Sequence, residues 1–482
     1  MPRPLALLLV VVALFGVTWA LLVPAGEIPD EAAHIAYTQS IAARHELPGS
    51  GPNPGSTEQS VALASASPDY VHGNVFKKPE WSRAAFERFQ ARSAGLDESD
   101  GGARLRQDEN PPLYYGFESL AYWATGGHFF DRVFAMRIWS SLMLLVTTTG
   151  AWLLAGEVFG RNRPLQLAAA AVAGLQPMVT FISSGVNPDS MLIAFWALAL
   201  WLGVRLVRRG LTVRGGVALG LVVGLAVTEK ATSWALVPAA LLAVAVAARR
   251  LRARGSARVA TAVAVTALAF AVPAGAWVTT AAVLHRSVVN HEYDRNGRKV
   301  PSPTSLRTVR EFSSYVWQFY LPRLPFEAPF FGQGEGGQQV SDTWMDSGWA
   351  AFGWLEVRFP PWVYRVLETL SLLAIAGGLA ALVRAAVRRR VDWPAVGFAA
   401  LAAVGLLGLL HWAEYTIVVL DREGFLQGRY ILPLIPLGGL AVAGGVSLLR
   451  RRWQPLAVAV VLAGLVVLQI ASLGINLDRY FA

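Results

Sequence analysis

Residues 111–130 read PPLYYGFESLAYWATGGHFF, and the topology of the whole chain turns on them. At first sight they look like a membrane span. Glu118 breaks the apolar run, Gly126, Gly127 and His128 end it, and what remains falls short of the roughly 20 residues a bilayer core requires. The arginines add a second constraint, because cytoplasmic loops carry excess Lys and Arg. The basic loops are 160–163, 205–216, 249–258, 384–390 and 449–453. Counting 111–130 as a span divides the basic segments between the two sides. Leaving it out gathers them, with Arg3, on one side. The stretch is therefore expected to be an amphipathic helix lying at the outer interface.

The rest of the chain follows from that choice. Of its 482 residues 54% are hydrophobic and 15% charged, against about 25% charged in soluble proteins. The expected fold class is an all-α polytopic membrane protein. Its spans are expected near 5–23, 135–158, 164–183, 190–208, 214–228, 232–248, 259–284, 362–383, 394–413, 430–449 and 456–476, about eleven transmembrane helices. The N-terminus is then inside, and 5–23 is an uncleaved span, since a signal peptide has a shorter core and a small-residue cleavage site. Two large extracytoplasmic loops remain, 24–134 and 285–361. The second holds Trp317, Trp344, Trp349 and Trp354, with Trp362 at the first position of the span that follows; these suit a membrane–water belt or a wall against a lipid or sugar. The net charge of +10 sits in short loops and gives no reason to expect nucleic acid. Cysteine is absent, which excludes disulfides, thiolate metal sites and cysteine nucleophiles. Arginine far outnumbers lysine, and with abundant Ala, Val and Gly this hints at a GC-rich bacterial genome.

The polar residues hardest to explain as anchors all fall at outer span ends. Just past the first span, PAGEIPDEAAHIAY (24–37) carries Glu27, Asp30, Glu31 and His34. Acids suit the first turn of a helix. Asp30 and His34 are also four apart and share a face, with Tyr37 a turn on. A carboxylate placed there can act as a general base, and the cluster could alternatively hold a divalent metal. Asn110 reads as a helix cap or a substrate contact, and Tyr114 as interfacial. Asp189 lies in the turn Asn-Pro-Asp. Glu229 and Lys230 sit in a tight connection where charge is costly unless paired or functional; Lys230 is a candidate phosphate ligand. Arg429 stands at an outer span end against the positive-inside bias, and its planar fork suits phosphate.

Five stretches, PDEAAHIAY (29–37), NPPLYY (110–115), VNPDSM (186–191), SGWAAFGWLE (347–356) and QGRYILPLIP (427–436), resemble in order a large family of bacterial membrane proteins described as a domain of unknown function. That family is grouped with the GT-C glycosyltransferases, which include protein O-mannosyltransferases and lipid A aminoarabinose transferases. The resemblance runs from about Pro24 to Pro436. It implies a GT-C-like fold and transfer of a sugar from a polyprenyl-phosphate carrier on the extracytoplasmic side of the bacterial plasma membrane. On the matching positions Asp30 would be the general base and Glu31 a supporting or metal-binding acid. His34, Asn110, Tyr114, Asp189, Lys230, Gln427, Arg429 and Tyr430 would line the substrate site. Asn110 stands where related enzymes carry a basic residue, so Lys230 or Arg429 must serve the phosphate.

The expected partners are the polyprenyl-phosphate-linked donor, a glycan or lipid-linked saccharide acceptor, and the bilayer. No cofactor is required by this scheme. A polysaccharide polymerase or ligase using diphosphate-linked saccharides shares many of these features. A flippase or transporter predicts charges at mid-depth in the spans and detectable internal repeats; the charges cluster at outer ends instead.

Overall fold

The structure is a computed structural model describing residues 1–48, 53–66, 83–93, 95–101, 103–105, 110–251, 256–286, 288, 299–330, 340–421 and 426–481. Residues 106–109, just before NPPLYY, and 252–255 of one basic loop lie outside these. Helix α1 (Arg3–Leu22) leads into four shorter helices: α2 (Glu31–Arg44), α3 (Thr57–Ala66), α4 (Arg83–Ser93) and α5 (Leu113–Ala124). Then come α6 (Phe129–Phe159), α7 (Arg163–Leu175), α8 (Pro177–Ser183), α9 (Asp189–Arg209), α10 (Val213–Val227), α11 (Leu236–Leu251) and α12 (Ser256–Val283). The second loop holds α13 (Leu306–Tyr320) and the single turn α14 (Ser347–Ala350). The chain ends with α15 (Pro361–Val387), α16 (Trp393–Asp421), α17 (Ile435–Ser447) and α18 (Gln454–Phe481). Two antiparallel pairs of very short strands complete it: β1 (Asn53–Gly55) with β2 (Ala103–Leu105), and β3 (Ala351–Phe352) with β4 (Val357–Arg358).

Among the described residues, nine helices are long and apolar enough to cross a bilayer, or ten if the bent pair α7–α8 counts as one span. Every expected span is helical, with two differences. The span expected at 164–183 breaks at Pro177, where the axis turns by 55°; proline there lacks the N–H that a continuous helix would use. The span expected at 214–228 is α10, whose 15 residues reach only about 22 Å against a core of about 30 Å. Residues 111–130 do not cross. Helix α5 has 12 residues, and a break at Thr125–His128 separates it from α6.

Sequence explains the packing of α10. Gly216, Gly220 and Gly224 form one stripe at helical spacing, and α12 lies on it through Thr266, Phe270 and Pro273. A Cβ on Gly220 would stand 2.3 Å from the Thr266 carbonyl oxygen. Such small-residue seams let membrane helices approach closely, where dispersion rather than the hydrophobic effect drives association.

The two ends of the bundle differ. At one, Arg205 and Arg209 bond Glu157 at 3.1 and 2.9 Å, and Arg250 approaches Asp392 at 3.4 Å. The helix alternation gathers the basic segments 160–163, 205–216, 384–390 and 449–453 there. At the other end lie the α1 exit, the α8–α9 turn, the α10–α11 turn and residues 426–430. Trp317 and Trp362 are exposed; Trp344 is buried, and Trp354 Nε1 donates to the Gly26 carbonyl at 3.3 Å. The tryptophans of the second loop thus divide between an outward face and ties that hold the loop down.

Candidate functional site

After α1 the chain turns through Pro24–Pro29, and Glu31 N–H donates to Ile28 O at 3.0 Å. Asp30 takes φ +62°, in the left-handed region that aspartate visits more readily than most residues. Its carbonyl still accepts from His34 N–H at 3.1 Å and so starts α2. Its side chain makes no capping bond. It crosses instead to the far end of the sequence, where Arg429 Nη2 donates to Asp30 Oδ2 at 2.8 Å. Burial alone would raise the Asp30 carboxyl. The Arg429 charge, then His34, the Arg429 hydrogen bond and Lys230 outweigh it, and the carboxyl is held below the usual carboxylate range.

A second pair stands beside the first. Lys230 Nζ donates to Asp189 Oδ1. Asp189 comes from the start of α9, and Lys230 from the turn after α10. Tyr430 joins the two pairs: Lys230 Nζ lies 5.3 Å and the Arg429 guanidinium carbon 5.0 Å from its ring centre. Both cations therefore flank one aromatic ring, each held by its own carboxylate. Glu229 does not pair with Lys230 as its neighbour in sequence. It is fully buried, and neither carboxylate oxygen has a hydrogen-bond partner among the described residues. Burial pushes it well above the usual carboxylate range, Lys230 opposes this, and Asp189 and Glu118 add to it.

His34 backs the site. Its Nδ1 lies 2.9 Å from the Tyr115 hydroxyl, to which Asn110 Nδ2 also donates at 2.9 Å. Tyr115 stacks on Tyr37 at 3.8 Å, and Arg286 donates to the Tyr37 hydroxyl at 3.1 Å. Burial holds the His34 imidazole down at about 4, against the pull of Asp30. Asn110 is not the cap of α5; Pro112 occupies that position. Tyr114 is buried against Ser140 at 2.7 Å.

Glu31 turns the other way. It meets Arg137 of α6, and both side chains are 0% exposed. Arg137 Nε donates to Glu31 Oε1 at 2.7 Å, while Nη2 serves Oε2. The same guanidinium donates to the carbonyls of Ala20, Val23 and Pro24 at the end of α1. Gly26 N–H and Val186 N–H complete the Glu31 carboxylate at 2.8 and 3.1 Å. This pair locks the turn that carries Asp30 onto α6 and the α8–α9 turn.

Arg429 is set by glycine contact. Gly428 lies so close to Gly348 that a Cβ on it would stand 2.1 Å from the Gly348 nitrogen. Gly428 N–H donates to Ser347 Oγ at 2.7 Å, and Gln176 Nε2 donates to the Gly348 carbonyl at 2.6 Å. Gln427 is half-buried at the cap of the 3-10 segment Gly428–Leu434. The motifs SGW and QGRY are thus two sides of one contact.

Of the residues picked out in the sequence, Asp30, His34, Asp189, Lys230, Arg429 and Tyr430 meet in one cluster. Asn110 reaches it through Tyr115. Glu31, Tyr114 and Gln427 stand beside it rather than at its two ion pairs. Sequence reasoning missed Arg137, Tyr115 and Arg286. Arg137 was detectable as an arginine inside an apolar helix, where charge is expensive; Arg286, just past the span expected at 259–284, was detectable like Arg429 as a basic residue at an outer span end. Among the described residues no three His, Asp or Glu side chains converge as a metal site. What the cluster offers is one half-open carboxylate and two cations that an anion could draw away from their partners.

A family profile described as "Predicted membrane protein (DUF2142)" matches residues 13–438. The structure is similar to that of ArnT from Cupriavidus metallidurans bound to undecaprenyl phosphate, with 15% identity, TM-score 0.47, and coverage of 98% of this chain and 75% of that one. It is also similar to an Archaeoglobus fulgidus oligosaccharyltransferase in complex with Zn and sulfate, with 13% identity, TM-score 0.44, and coverage of 98% and 53%. No curated protein matches the sequence.

Proposed function

The chain belongs to the DUF2142 family of membrane proteins, and from the geometry of its site we propose that it is a glycosyltransferase drawing on a polyprenyl-phosphate-linked sugar. One observation carries the reading: Asp30 and Arg429, 399 positions apart in sequence, meet at 2.8 Å beside the Lys230–Asp189 pair. A base and two phosphate-binding cations are what this chemistry asks of a protein. Apart from Lys230, the residues of the cluster come from the stretches through which the sequence resembles a membrane-protein family grouped with the GT-C enzymes.

In this scheme the donor phosphate lies between Arg429 and Lys230, over the edge of Tyr430. The acceptor hydroxyl enters at Asp30, the more open of the two carboxylates, 31% exposed against 4% for Asp189. Its oxygen bonds the anomeric carbon as the bond from that carbon to the phosphate oxygen breaks. The hydroxyl proton passes to Asp30, and the lipid phosphate leaves with its charge held by the cations. One displacement inverts the anomeric centre. Glu31 positions Asp30 through Arg137 and does not touch substrate. The cluster faces the extracytoplasmic side of a bacterial plasma membrane, opposite the arginine-rich end.

The test is transfer by the purified full chain in nanodiscs. Sugar linked to undecaprenyl monophosphate is compared with oligosaccharide linked to undecaprenyl diphosphate, over a panel of glycan acceptors. Turnover with the monophosphate donor, lost in Asp30→Asn with the fold intact, is the expected result. Turnover with the diphosphate donor alone would assign the chain to polymerase or ligase chemistry. Wild-type turnover by Asp30→Asn would remove Asp30 as the base.

A further inference from the structure

Asp30 is engaged before any substrate arrives. A carboxylate that holds a guanidinium at 2.8 Å is a weak base, because taking a proton means giving up the pair. Lys230 is engaged in the same way by Asp189. Each cation suited to phosphate is thus occupied by a carboxylate, and the two pairs share the Tyr430 ring. Arg429 also keeps a donor in reserve: its buried Nε has no partner among the described residues. The guanidinium therefore offers more hydrogen bonds than Asp30 takes.

We propose that the donor phosphate is the switch that frees Asp30, so that the donor must bind before an acceptor can be deprotonated. This rests on the function proposed above. The donor phosphate is a diester with the same single charge as a carboxylate, but its two free oxygens match the guanidinium fork and can bond both cations at once. It competes for Arg429 and Lys230 together, whereas each carboxylate competes for one. Once Arg429 turns to the phosphate, the burial of Asp30 acts with less opposition and increases its affinity for a proton. Among the described residues His34, whose Nδ1 is taken by Tyr115, the Tyr115 phenol itself and Lys230 are the other charged or titratable groups that interact with Asp30. An acceptor that arrives first meets a carboxylate already neutralised by its arginine. The contact keeps the base silent until a leaving group is in place.

The experiment measures modification of Asp30 by a water-soluble carbodiimide, which attacks protonated carboxyls. The full chain in nanodiscs is labelled at pH 6 with undecaprenyl phosphate, with undecaprenol, or with neither, and Asp30 is read by peptide mass spectrometry. Native mass spectrometry measures lipid retention in parallel. Undecaprenyl phosphate should speed Asp30 labelling by about tenfold for each unit its pKa rises, and undecaprenol should not. Arg429→Gln should label fast with or without the lipid. If undecaprenyl phosphate is retained and labelling stays the same or slows, the switch is overturned while the proposed donor class stands. If the protein retains undecaprenyl phosphate no better than undecaprenol, the donor class fails and the switch with it. The wild-type comparison needs no variant to fold.

Discussion

Arg137→Met removes the guanidinium that ties the Asp30 turn to α6, and its effect can be worked from the contacts. The substitution keeps the volume and loses the charge. Glu31 keeps two backbone N–H donors, from Gly26 and Val186, but faces burial at 0% exposure without a counter-charge. Three carbonyls at the end of α1 lose a donor. Removing one partner of a buried pair costs about 3–5 kcal/mol. At about 1.4 kcal/mol per factor of ten, that multiplies the unfolded fraction by at least a hundred. The assay is thermal unfolding in detergent by tryptophan fluorescence, with size exclusion for the soluble fraction. Arg137→Met should lower the midpoint strongly and also lower transfer, because the Asp30 turn loosens. The double variant Glu31→Gln with Arg137→Met should recover much of the stability, since no charge is left buried. Unchanged stability in the single variant, or no recovery in the double, would refute the account of Glu31 as a positioning acid.

Gly428→Ala should abolish transfer, because its Cβ meets Gly348 backbone rather than a movable side chain; near-normal turnover in the folded variant would show that Arg429 does not depend on that contact. Gly220→Val should separate α10 from α12 and lower the unfolding midpoint by several degrees, and an unchanged midpoint would discount the glycine seam. His34 makes the fold acid-sensitive. Its folded imidazole titrates at about 4 and an unfolded one near 6.5, so stability is lost as pH falls through that window, by up to about 3 kcal/mol. His34→Gln should flatten the stability profile between those values, and an identical slope would argue against a buried neutral imidazole.

The apolar runs and the basic loops carried most of the fold, since span length and arginine placement are composition-level signals. The broken span is harder to read, because Pro177 looks the same in a kinked helix as in two helices joined at a cap. What Gln176 does there depends on Gly348, which lies far along the sequence. The site divides in the same way. Asp30, Lys230 and Arg429 stood out because charge at a span end needs a reason. Their pairing did not: Lys230 takes Asp189 rather than its neighbour Glu229, and only the return of α9 beside α10 decides this. The separate purposes of Asp30 and Glu31 were equally hidden. Adjacent residues at a helix start point to different sides, and the left-handed Asp30 sends one carboxylate to Arg429 and the other to Arg137.

Helix α10 has a consequence for depth. Leu211 N–H bonds the Ala247 carbonyl at 3.3 Å, which fixes the foot of the α10–α11 hairpin near the arginine-rich end. From that foot a 15-residue helix rises about 22 Å. The other leg, Ala231–Arg250, is long enough to cross, and Lys230 bonds Asp189 at the start of the full-length α9, so the tip is level with the outer span ends and α10 alone is short of the hydrocarbon thickness. Glu229 and Lys230 are that tip. A lipid-borne headgroup meets that level sideways, without its tail leaving the leaflet, whereas a water-soluble reactant approaches it from above.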